Sequence, residues 1–329
     1  MAEPAANLGR RLGVVAIGRN EGERLKRCLA SLRGSGCPVV YVDSASTDGS
    51  PAAAAALGAR VHALDLTRPF TAARARAEGL AVLEGDHPRL DYVFFVDGDC
   101  EVEAGFLPAA TAFLDGETGF AAACGRRRER FPDASPYNRM MDREWNTPVG
   151  EAAACGGDAV FRLADYHAAG GYDAAMVAHE EPELCARVRA TGQRIARLDL
   201  PMTVHDADIH ALGSYLRRAT RGGHGYVQAL SRMPSGLAGN ERALVRRALQ
   251  WPMLTLAALA LAFVWPASLL VLLALMAAAI LRDGLRGSGP GRWRAAGLRF
   301  LVKWAEFAGI LRWLRDRVLR RRSGALLYK

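Results

Sequence analysis

Apolar and polar positions alternate in blocks through the first 115 residues. Residues 12–17 form a short apolar, β-branched run, followed by Gly18-Arg19-Asn20-Glu21-Gly22. Leu25, Cys28, Leu29 and Leu32 then recur at helical spacing and predict an amphipathic helix. Residues 38–42 read as a second strand, ending at Asp43-Ser44-Ala45-Ser46-Thr47-Asp48-Gly49-Ser50. Pro51 and the alanines after it begin a helix, because proline's fixed φ suits a first turn. Residues 59–64 are a third strand, 71–83 a third helix, and 92–96 a fourth strand that stops at Asp97-Gly98-Asp99. Strands separated by helical stretches predict an α/β fold, a mostly parallel sheet with flanking helices. Ligands of such sheets collect at the carboxyl ends of the strands. The polar clusters after the first, second and fourth strands all fall there.

Residues 119–208 are less regular. A strand at 120–124 leads into a polar stretch with Arg126, Arg127, Arg128 and Arg130, and later into Gly156-Gly157-Asp158. A helix is expected from Glu180-Glu181-Pro182-Glu183-Leu184, with proline at its first position and Leu184 and Val188 facing inward. Residues 195–198 read as an edge strand, and His205-Asp206-Ala207-Asp208 follows. This gives an α/β domain over 1–211 and a basic connecting segment over 212–247. An apolar stretch at 248–281, divided by Trp265-Pro266, and a basic amphipathic segment over 282–329 complete the chain, the last helix falling near 293–322.

Charge divides the chain in the same place. Residues 1–211 hold 23 Lys+Arg against 30 Asp+Glu, while residues 212–329 hold 20 against 4. A basic back half faces something anionic, either nucleic acid or a membrane surface. The 34 consecutive uncharged residues from 248 to 281 decide between them, because about 20 apolar residues span a bilayer. A membrane partner is expected and nucleic acid is not. Two apolar halves, each short for a span, with arginines on both flanks predict a hairpin or re-entrant pair that leaves both flanks in the cytoplasm. The bland alternative is an apolar hairpin buried in a soluble dimer. The six cysteines are scattered without a CxxC pair and read as reduced thiols.

Asp97 and Asp99, two residues apart at a strand end, can turn toward one hard cation that takes its other ligands from phosphates and water. The bland reading is a polar turn. Asp43 and Asp48 serve equally as turn and capping residues; a functional Asp43 would accept bonds from a nucleobase or ribose. Acids at 180, 181 and 183 suit a helix N-terminus, yet one of them beside a bound sugar could take a proton from an attacking hydroxyl. His205 is either a packed imidazole or a further metal ligand.

In this order, the Asn20-Glu21 strand end, the 42–50 motif, Asp97-Gly98-Asp99, Gly156-Gly157-Asp158 and Glu180-Glu181-Pro182-Glu183-Leu184 resemble the family-two glycosyltransferases of the GT-A fold over about residues 14–205. The resemblance implies a Rossmann-like sheet, a nucleotide-diphospho-sugar donor and a divalent Mn²⁺ or Mg²⁺. Asn20, Glu21, Asp43, Arg74, Arg76, Asp97 and Gly98 would surround the nucleotide sugar. Asp97, Asp99 and His205 would hold the metal, and Gly156, Gly157, Asp158 and Glu180 would border the donor or acceptor sugar. Glu181 stands at the family's catalytic Asp, one methylene longer, as the base of an inverting transfer. Ala77 replaces an expected Asn, and no Gln-x-x-Arg-Trp signature follows, which argues against a processive synthase. The implied setting is the cytoplasmic face of a bacterial inner membrane, in cell-surface polysaccharide or glycolipid synthesis. The implied acceptor is a lipid or saccharide, and a homo-oligomer is a further expectation. A retaining transferase, a nucleotidyltransferase and an inactive membrane scaffold are the alternatives.

Overall fold

The computed structural model describes residues 5–289 and 291–319. Helix α1 (Ala5–Arg11) leads into β1 (Leu12–Gly18), whose residues are all buried. A strand covered on both faces by helices reads as this kind of unbroken apolar run. Helix α2 (Glu23–Leu32) buries Leu25, Cys28, Leu29 and Leu32, as their spacing predicts. Then come β2 (Val39–Asp43), α3 (Ser50–Ala56), β3 (Arg60–Ala63), α4 (Ala72–Asp86) and β4 (Tyr92–Asp97). The Thr71 side chain caps α4 by accepting from the Arg74 amide. The short β5 (Cys100–Val102) and α5 (Phe106–Gly116) precede β6 (Phe120–Glu129), α6 (Pro136–Glu144), β7 (Gly150–Glu151) and β8 (Ala159–Arg162). Helices α7 (Leu163–Ala168) and α8 (Glu180–Ala190) and strand β9 (Arg194–His205) close the sheet.

The sheet runs β3-β2-β1-β4-β8-β6-β9-β5, with β7 also paired to β9. β1, β2, β3 and β4 are mutually parallel, whereas β8 is antiparallel to both of its neighbours. Register sets Gly18 beside Asp43 and Ile17 beside Asp97. Three carboxyl ends are therefore level, and the turns leaving them share one edge.

Three expectations change. The arginine stretch is strand: β6 runs on to Glu129, carrying Arg126, Arg127 and Arg128, because charged partners on adjoining elements satisfy each guanidinium. The predicted edge strand at 195–198 extends to His205 and lies inside the sheet, between β6 on one side and β5 and β7 on the other. Pro182 is the third residue of α8 rather than the first; its missing N–H still falls among the groups that no helix bond would use.

Helix α9 (Leu212–Leu230) lies against the sheet domain, where Gln228 accepts from the Val177 amide and donates to the Ala175 carbonyl. Helix α10 (Gly239–Ala262) ends just before Trp265-Pro266, and α11 (Ala267–Arg286) starts just after, with Pro266 at its N-cap. Helix α12 (Arg292–Val318) crosses α9 closely. A Cβ on Gly223 would lie 1.9 Å from the Glu306 carbonyl oxygen, and one on Gly309 2.0 Å from that of Thr220, so only glycine permits this approach. The segment expected at 293–322 thus packs on α9 through α12, and Arg320, Arg321 and Arg322 lie outside the described residues.

Candidate active site

The turns after β1 and β2 are sewn together first. Asn20 sits at φ 54°, its amide donates to Ser46 Oγ at 2.9 Å, and its Oδ1 accepts from the Thr47 amide at 2.7 Å. Asp43 is buried and accepts from the Ser46 amide at 2.9 Å and from the Tyr41 hydroxyl at 3.2 Å. Glu21 is buried and pairs with Arg24 at 2.9 Å. Gly98 donates its amide to the Ile17 carbonyl at 2.7 Å, which turns the chain sharply away from β4.

Asp97 is gripped by two guanidinium groups. Arg76 reaches its Oδ1 at 2.7 Å and Arg127 its Oδ2 at 2.9 Å, and both hold the carboxyl well below the usual range against the desolvation that would raise it. Arg76, 2% exposed, also donates to Glu180 Oε1 at 2.7 Å, joining α4, β4 and the first residue of α8. Asp158, fully buried, accepts from the Asp97 amide at 3.1 Å and from Thr203 Oγ1 at 2.8 Å, with Arg127 Nε at 3.4 Å. Gly157 lies against the cluster. A Cβ there would come within 3.0 Å of Arg76 Nη2 and 3.1 Å of Asp97 Oδ2. Gly156 precedes it at φ 84°, a conformation suited to glycine.

Asp99 turns the other way. Its Oδ1 lies 3.4 Å from His205 Nε2, and His205 Nδ1 lies 3.5 Å from Glu129 Oε2. The Trp145 ring stands edge-on to the imidazole at 4.6 Å. Asp99, Cys100 and His205 bring one donor atom each within 4.8 Å of one another. Burial pushes the Cys100 thiol far up, so it stays protonated and a poor ligand. The donors suited to a hard or borderline cation are therefore the Asp99 carboxylate and the His205 imidazole. Asp97, expected to share this role, gives one carboxylate oxygen to each of two arginines.

Glu181 is 5% exposed. Its Oε1 accepts from the Cys155 amide at 2.5 Å and from Cys185 Sγ at 2.9 Å, while desolvation raises its pKa. Glu180 and Glu181 are thus treated differently: one is clamped by arginine beside Asp97, the other held in a dry thiol-lined pocket. Arg74 does not join the cluster. Its guanidinium pairs with Glu78 at 2.6 Å and bonds the Asp65, Arg68 and Pro69 carbonyls, tying down the loop before α4. Sequence reasoning gave Arg127 no role at the site.

Residues 14–169 match the model of glycosyl transferase family 2. No curated protein matches the chain in sequence. Among solved structures, the fold is similar to that of the mannosyltransferase PcManGT from Pyrobaculum calidifontis in complex with GDP-Man and Mn²⁺. The TM-score is 0.57 at 17% identity, covering 93% of this chain and 88% of that one. Residues 1–349 of S. aureus TarS are also similar, with TM-score 0.52 at 15% identity, covering 94% of this chain and 92% of that one. Strand order, the level carboxyl ends and the family match agree, and the chain is a glycosyltransferase whose residues 14–169 form a family 2 domain on a GT-A-like fold.

Proposed function

We propose that the protein moves a sugar from a nucleotide-diphospho-sugar to an acceptor hydroxyl, with inversion and with a divalent metal. The observation that carries this reading is the strand-end edge, where β1, β2 and β4 end level with one another, placing Asn20, Glu21 and Asp43 on the same edge as Asp97 and the Asp99–His205 pair. GDP-Man and Mn²⁺, bound by the mannosyltransferase of similar fold, are the ligand types this edge suits. Asp99 and His205 would hold the cation; when bound, it neutralises charge developing on the diphosphate leaving group. Arg76 and Arg127 keep Asp97 ionised and fix it at the β4 end. Gly156 and Gly157 bring backbone close to the sugar, and Asp158 holds that loop to β4 through the Asp97 amide.

Glu181 is the proposed base. The Cys155 amide and Cys185 thiol anchor Oε1, and a raised pKa makes the carboxylate a better proton acceptor near neutral pH. Glu180, paired with Arg76, orients the acceptor side. Glu181→Gln should lower turnover by about 10²–10⁴ with donor affinity nearly intact. Wild-type turnover in Glu181→Gln with a slow Glu180→Gln would move the base one residue earlier. The product's anomeric configuration by NMR decides inversion.

The same reading places the protein at a membrane, as part of cell-envelope polysaccharide or glycolipid synthesis. Among the described residues, α11 is the one helix long and apolar enough to cross a bilayer, and little of it is buried. Phe263, Val264, Leu270 and Leu273 are more than half exposed at and after the turn between α10 and α11. Such a patch needs a cover. Arginines flank it at Arg246, Arg247, Arg282 and Arg286, as cytoplasmic anchors would.

A further inference from the structure

Beyond the strand-end site, a cavity of about 750 Å³ opens between the first turn of α4, the loop preceding α8, and helices α9 and α12. Four arginines line it (Arg68, Arg74, Arg232 and Arg317) against two carboxylates, Asp173 and Asp316. Three of the four already have carboxylate partners: Arg74 and Arg68 on Glu78, and Arg232 on Asp173 at 3.0 Å. Arg317 has no carboxylate partner among the described residues and lies 5.2 Å from the centre of the Trp313 ring, which also lines the cavity. His224 adds the decisive feature. It is 1% exposed, it lines the cavity, and neither ring nitrogen has a hydrogen-bond partner among the described residues. Buried polar groups are nearly always paired, so an orphaned imidazole on a cavity wall points to an absent partner. Burial holds this ring neutral, with a pKa lowered to about 4, so it offers one N–H donor and one lone pair.

We propose that this cavity is a second ligand site that takes the phosphate-bearing, hydroxylated part of the acceptor. Arg317 and the His224 N–H bind phosphate oxygens. Asp316 and Asp173 accept from hydroxyls, and the Trp313 face packs on a saturated ring. The inference deepens the transferase reading and rests on it, because Asp173, Ala174 and Ala175 form one wall, in the loop that leads on to Glu180. The phosphate belongs either to a soluble sugar or polyol phosphate or to a lipid headgroup.

The test uses full-length protein without donor or metal. One arm titrates inositol 1-phosphate and follows binding calorimetrically; the other measures binding to phosphatidylinositol in nanodiscs against phosphatidylcholine alone. Saturable binding in the first arm assigns a soluble acceptor and in the second a membrane-borne one, and either supports the site. Removing a charge-assisted hydrogen bond should weaken binding about tenfold or more in Arg317→Gln, and losing the ring face should weaken it in Trp313→Ala, with nucleoside diphosphate–Mn²⁺ affinity unchanged. The proposal fails if neither probe binds, if Arg317→Gln and His224→Leu both bind as wild type, or if nucleoside diphosphate–Mn²⁺ displaces the probe. Loss of nucleoside diphosphate binding in the wild type would instead count against the transferase reading, since the two affinities are measured separately.

Discussion

Replacing Arg76 with Met tests the cluster on which the site is built. Arg76 is 2% exposed and bridges Asp97 at 2.7 Å and Glu180 at 2.7 Å, whose side chains are 29% and 14% exposed. Methionine fills most of the aliphatic volume, so the loss is chiefly electrostatic. Breaking a buried pair by removing one partner costs about 3–5 kcal/mol, because the surviving charge is left uncompensated. Asp97 keeps Arg127 at 2.9 Å, whereas Glu180 loses the ion pair described for it, so the lower end, about 3 kcal/mol, is expected. The pH dependence sharpens the test. Asp97 has a depressed pKa when folded, so its contribution is present above the unfolded value of 3.8 and is lost as pH falls through the folded pKa. The gap between variant and wild type should therefore narrow below about pH 4. Urea unfolding followed by tryptophan fluorescence at neutral and acid pH measures it, with Glu180→Gln in the same background recovering part of the loss. A neutral-pH difference below about 1 kcal/mol with an unchanged denaturant slope would refute the reasoning, for then solvent screens the cluster.

Two further outcomes follow from burial and exposure. His179 and His224 both have pKa values lowered to about 4 from 6.5, so the unfolded chain binds more protons between those values. Stability should fall as pH drops through that window, by up to about 1.4 kcal/mol per pH unit for each ring; His224→Gln should flatten the measured slope, and an unchanged slope would contradict the assignment. At the membrane, the full-length protein should sediment with membranes and resist carbonate extraction. Its recovery as a detergent-free monomer would sink the hairpin, and labelling of Cys introduced at Ser288 from outside the cell would sink the orientation.

The parallel half of the fold was legible because its strands are apolar on both faces and end in polar turns, as at Gly18, Asp43 and Asp97. The extension of β6 and β9 was not, since strand residues such as Arg127 and Arg197 are satisfied by partners far away in sequence. The carboxyl-edge acids could be read from the chain, but not their division of labour. Nothing local tells that Asp97 turns to arginine while Asp99 meets His205 across the β5–β9 pairing. Likewise Arg74 and Arg76, two residues apart on one helix, point to different neighbours by geometry alone. The α9–α12 cavity was invisible in the sequence because it joins segments from residue 68 to residue 317.

The central claim, metal-assisted use of a nucleotide-sugar donor, is tested most directly by nucleoside diphosphate release from a panel of nucleotide sugars, with wild type and Asp99→Ala assayed side by side. At least one donor should be turned over in the presence of Mn²⁺, chelation should stop it, and Asp99→Ala should lose it, with His205→Ala weakened less because water can replace an imidazole ligand. Turnover that survives both chelation and Asp99→Ala would contradict the account, as would the absence of release from every nucleotide sugar in the panel.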